Sequence, residues 1–119
     1  MKYEIHQIQM TEAEEKIMEE QGRFSLDKYK VKVDMDFRDK DELVNNVKKA
    51  IHKGYYNFVA NIQANGLEDV FRIGNQDIPR SENPNIEDIN GMYSVSVGDL
   101  VISEEGTYVV ASMGFAKVS

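Results

Sequence analysis

Cysteine is absent from this sequence, so disulfides, thiolate metal sites and thiol nucleophiles are all excluded. Proline is scarce, with only Pro79 and Pro84, and tryptophan does not occur. Long apolar runs are missing too. No window approaches the ~18 apolar residues of a membrane-crossing helix, and Met1 to Met10 lacks the continuous apolar stretch of a signal peptide. Cytosolic residence is the simplest expectation. Basic charge is short in the second half of the chain. Residues 61–119 hold 9 acids against Arg72, Arg80 and Lys117, whereas residues 1–60 hold 12 acids against 11 bases. A duplex-binding protein gains affinity by neutralising phosphates, so nucleic acid is an unsuitable partner and a basic protein surface a suitable one.

What is present is enough for one core. The 119 residues are 41% hydrophobic, which fits a single domain over 1–119 with an N-terminal β-α-β-α half (1–54) and a second half over 55–118. Tyr3, Ile5, Ile8 and Met10 mark a first strand over about residues 2–9. Thr11 with Glu14 forms a capping box, which starts a helix that runs to about Gln21 and stops at Gly22. Tyr29, Val31, Val33, Met35 and Phe37 alternate with charged residues, so a half-buried strand is predicted there, with Lys28, Lys30 and Lys32 in a row on its wet face.

Asp39 and Glu42 cap the next helix, whose apolar face is Leu43, Val44, Val47, Ala50 and Ile51. Gly54 ends it. Tyr55 to Ala64 reads as a central strand with Tyr56, Phe58, Ala60 and Ile62 on one face. Asn65 with Glu68 caps a short helix that turns Leu67, Val70 and Phe71 inward. From Gly74 to Gly91 the two prolines and Asn75, Asn83, Asn85 and Asn90 predict a long loop. Ser94–Ile102 and Thr107–Met113 then form a hairpin around Ser103–Gly106, and Phe115 and Val118 close the chain against the core. The expected fold is α+β: about five strands in a mixed or mainly antiparallel sheet, two to three helices, and a C-terminal β-hairpin.

Chemistry is sparsely signalled. His6 and His52 lie in different elements and neither has metal-ligand spacing. Ser94 and Ser96 lack a nucleophile elbow, and no glycine-rich phosphate loop occurs. No catalytic residue, metal or cofactor is expected.

Leu67-Glu68-Asp69-Val70-Phe71, Asn75, a Pro/Asn-rich loop, Ser94-Val95-Ser96-Val97-Gly98-Asp99, a Glu-Gly turn and Gly114-Phe115 follow one another in order. In this order and spacing residues 55–118 resemble the YodL-like domain, a family of small bacteriophage and mobile-element proteins. Family members often carry an arginine where Met92-Tyr93 stands, and an acid where Val110-Ala111-Ser112 stands. Residues 1–54 have no counterpart in it. The resemblance implies a genomic setting rather than a mechanism, and places the protein in the host cytoplasm. Ser94, Ser96, Gly98, Asp99, Gly114 and Phe115 carry the motif and have structural explanations in turns and packing.

The expected function is that of a non-enzymatic accessory protein. It would bind a host protein, and no membrane or nucleic acid, through an acidic surface of Glu68, Asp69, Asp77, Glu82, Glu87 and Asp88. The alternatives are a small-ligand or hydrolytic enzyme with a site near Ser94, Ser96, Asp99 and His6, and a phage structural or assembly component.

Overall fold

A computed structural model describes all residues, Met1–Ser119. Six strands form one open, wholly antiparallel sheet: β1 (Lys2–Ile8), β2 (Tyr56–Gln63), β3 (Ile86–Asp88), β4 (Leu100–Ser103), β5 (Gly106–Val110) and β6 (Phe115–Lys117). Their order is β3-β2-β1-β4-β5-β6, so the N-terminal strand lies inside the sheet and joins two meanders. Four α-helices accompany them: α1 (Glu12–Gln21), α2 (Asp27–Asp34), α3 (Lys40–His52) and α4 (Leu67–Gly74). The α+β class and the C-terminal hairpin are as the sequence predicts, and the strand and helix counts each exceed the expectation.

Both faces of the sheet are covered. On one face Tyr3, Ile5, Ile62 and Val101 pack with Val70 and Ile73 of α4, and with Met92 and Val95. On the other, Ile8, Leu100 and Val109 pack with Leu43, Val47 and Ala50 of α3, and with Met35. Val101, between Leu100 and Ile102, thus serves one core while its neighbours serve the second, as strand alternation requires.

A bulge in β2 allows the same strand to feed both layers. Ile5 pairs with Ala60 but His6 pairs with Phe58, leaving Val59 as an extra residue. Ala60 and Ile62 therefore face α4, whereas Tyr56 packs on the α3 side. The expectation that Tyr56, Phe58, Ala60 and Ile62 share a face is corrected by this one residue. The Val59 carbonyl then accepts from the amides of Ile89 and Asn90, beyond the end of β3.

Residues 28–37 are helical rather than extended: α2 is followed by a 3-10 turn at Met35–Phe37. Helical spacing puts Asp27, Val31, Asp34 and Met35 toward α3 and β2. Asp27 meets Lys53 and the Tyr55 hydroxyl, Asp34 meets Asn46, and Met35 is buried. Of the rest of the alternation, Tyr29 and Val33 are half-buried and Phe37 is left outside, 81% exposed. The lysine row is dispersed accordingly: Lys28 pairs with Glu14 of α1, and Lys32 lies over the Tyr93 ring.

Three smaller differences remain. Gly66, not Asn65, precedes α4, and the Asn65 amide instead donates to Asp69. Phe71 and Ile51 are exposed at 43% and 45%. The predicted 74–91 loop contains the edge strand β3, and the predicted strand Ser94–Ile102 enters the sheet only at Leu100.

Candidate functional site

Residues 92–97 cross the α4 face of the sheet as a strap held by side chains, before Gly98 and Asp99 join Val110 through backbone bonds. Gln7, 2% exposed on β1, works as a surrogate strand: its Oε1 accepts from the Tyr93 amide at 2.9 Å, and its Nε2 donates to the Tyr93 carbonyl at 3.0 Å. The same Nε2 lies 3.0 Å from Asp99 Oδ2. Gln9 adds a bond to the Gly91 carbonyl, and Asn75 of the turn after α4 donates to the Val95 carbonyl at 3.0 Å. Between these ties Val95 drops into the core. Every buried backbone group needs a partner, and these amide side chains supply them.

Asp99 is the most perturbed carboxyl in the chain. It is 5% exposed, and burial pushes its protonation up to about 6, against the opposing pull of the Ser96 amide, Gln7 and the charge of Lys32. Its Oδ2 receives the Ser96 amide at 2.9 Å, closing a turn with Gly98 at its corner. Gly98 has φ +93, a conformation that favours glycine, and a Cβ there would press on the Met35 Sδ at 2.8 Å. The Tyr56 hydroxyl donates to the Gly98 carbonyl at 2.6 Å, and its own ionisation is pushed up by burial and by Asp99.

Of the residues in the alternative site, the fold brings Ser96 to Asp99 but not His6. His6 follows Ile5 on the strand, so it points to the opposite face, where it stacks on Phe58 at 5.2 Å and bonds Glu4 at 3.0 Å. The Ser94 hydroxyl accepts from Arg80 at 3.0 Å. Asp99, Ser96 and Ser94 therefore tie down the strap. No three histidines or carboxylates converge as metal ligands, and no helix is long and apolar enough to cross a membrane.

The six predicted acids do not form one surface. Asp69 is drawn inward: the Asn65 amide and then Arg72 hold its carboxyl below the usual range. Asp88 caps the amides of Gly91 and Met92. Glu87 bonds Asn61 at 2.7 Å on the sheet face away from α4. Glu68, Asp77 and Glu82 remain exposed with no cationic partner, at the start of α4 and along the loop after it. Arg72 is ion-paired with Asp69, whereas Arg80 bonds only the neutral Ser94 hydroxyl and keeps its charge.

A groove separates α4 from the β5–β6 turn, where Gly114 takes φ +76 and its carbonyl accepts from the Ala111 amide. One cavity of about 260 Å³ is lined by Glu68, Phe71, Val110, Ser112, Gly114 and Phe115. It adjoins a broader hollow of about 760 Å³ beside the first turn of α4, sharing Glu68 and Phe115 and bounded by Leu67 and Arg72. Sequence reasoning missed both the strap and this groove. The available signal for the strap was Gln7, a polar residue among apolar ones on a strand's buried face.

No family model, curated protein or solved structure matches the chain.

Proposed function

We propose that the protein is a non-enzymatic accessory factor of a bacteriophage or mobile element that binds a basic surface of a host protein in the host cytoplasm. The observation that carries this reading is the imbalance of free charge on the α4 side. Glu68, Asp77 and Glu82 are exposed and unpaired and Arg72 is paired with Asp69, so the charge of Arg80, which bonds only the neutral Ser94 hydroxyl, is the one cation of the α4 side that offsets them. An excess of one sign steers an oppositely charged partner and disfavours phosphate backbones. The genomic setting rests on the YodL-like motif pieces of residues 67–115.

The partner is isolated by affinity purification from a host that carries the element, and its association is then followed kinetically. Asp77→Lys with Glu82→Lys is expected to slow association at low ionic strength by roughly tenfold and to flatten its salt dependence. An on-rate unchanged at low salt removes the acidic-surface reading.

A further inference from the structure

The groove between α4 and the β5–β6 turn has a chemistry of its own. Its smaller cavity, about 260 Å³, lies below the ~300–1,000 Å³ of sites that enclose whole small ligands. It suits one or two side chains of a larger partner. Its lining is mostly hydrocarbon, from Phe71, Val110, Ala111 and Phe115. Phe71 is 43% exposed, although it sits on a helix whose other apolar residues are buried (Val70, Ile73) or partly buried (Leu67).

Of the residues that line the cavity only Glu68 is charged, and Lys40 Nζ approaches Gly114 at its rim. Glu68 borders both the cavity and the adjoining hollow, and no lysine or arginine of the chain pairs with it. The first turn of α4 holds two acids, Glu68 and Asp69, which cancels the attraction its amide ends would have for an anion. Arg72 is bound to Asp69 at 2.6 Å and leaves Glu68 uncompensated. An exposed aromatic ring, Phe71, on the same helix as a free carboxylate matches a guanidinium, which is weakly hydrated, stacks on rings and bonds a carboxylate through two N–H groups.

We infer that this groove is a docking seat for a partner segment that carries an arginine next to an aliphatic side chain. The aliphatic group fills the cavity over Val110 and Phe115, and the guanidinium meets Glu68 beside the Phe71 ring. This assignment rests on the partner-binding reading above and gives it a location and a recognition chemistry.

The test needs no knowledge of the partner. Uniformly ¹⁵N-labelled protein is titrated with acetyl-Leu-Arg-amide, and in parallel with acetyl-Leu-citrulline-amide, its neutral analogue. The arginine probe is expected to give saturable shifts at the amides of Phe71, Ser112, Gly114 and Phe115. The citrulline probe, or Glu68→Gln protein, should bind about two- to fivefold more weakly, the range of an exposed ion pair. Phe71→Ala, at an exposed position that folding tolerates, should weaken both probes. Absent shifts, shifts centred elsewhere, or equal binding of the two probes would overturn the inference. The Asp77→Lys/Glu82→Lys protein should bind the arginine probe as the wild type does. A failed seat and a failed acidic-surface function are thereby told apart.

Discussion

Taking the Asp99 carboxyl out of water moves its protonation up to about 6, whereas an unfolded chain returns it to ~4. The folded state therefore favours the protonated form. The stability this group contributes is complete below pH ~4 and is lost as pH rises through about 6, an effect on the order of 2–3 kcal/mol. Asp69 and Glu14 act in the opposite sense. Their folded values are depressed, so their contributions are lost as pH falls. The difference between wild type and a single variant isolates Asp99. Asn at this position can present one oxygen to both Gln7 and the Ser96 amide without a charge to bury. Asp99→Asn is expected to stay folded, and to show a urea stability about 2 kcal/mol less sensitive to pH between 4 and 7. An unchanged pH slope would mean that the carboxyl is not protonated in the folded protein near pH 5.

Helix caps show how far local sequence reaches. Thr11 and Glu14 form both bonds of the predicted capping box, and the Asp39 side chain accepts from the Glu42 amide at 2.9 Å. The consequences of losing them differ because the helices pack differently. α3 buries Leu43, Val47 and Ala50, whereas α1 buries nothing. Asp39→Ala is expected to lower global stability by about 1 kcal/mol in urea unfolding. Thr11→Ala should leave that midpoint nearly unmoved and instead speed amide exchange within α1. Elements whose signals are local were thus legible: β1, α1, α3 and the β4–β5 hairpin. α2 was not, because its two patterns compete. Alternation of Tyr29, Val31 and Val33 is visible in the sequence, but the helical face of Asp27, Val31, Asp34 and Met35 uses carboxylates whose partners, Lys53, Tyr55 and Asn46, lie 12 or more residues away. Tyr93–Ser96 is not in the sheet, although a strand is predicted from Ser94, and its hydrogen bonds go to Gln7, Asn75 and Asp99 side chains that no period of the sequence connects to it. The acids of the candidate surface were visible as residues; Asp69 and Asp88 are drawn off by partners three or four residues away, and Glu87 by the distant Asn61.

At the scale of the molecule, the sheet is a partition between two cores, and β2 crosses from one to the other at Val59. That crossing makes the strand unequally tolerant of changes in length. Deleting Val59 leaves Phe58 and Ala60 adjacent, which is the regular spacing of a strand paired to His6 and Ile5. Each neighbour keeps its layer, and the cost is one buried valine and an acceptor for two amides, roughly 2–5 kcal/mol. Deleting Asn61 leaves the extra residue in place and turns Ile62 out of the core. The first shortened protein is expected to melt early but cooperatively, and the second to lose its cooperative transition by calorimetry. A frame that accepts the loss of a fully buried residue, and not of a half-exposed one two positions on, reverses the usual expectation that surface positions are where a chain can be shortened.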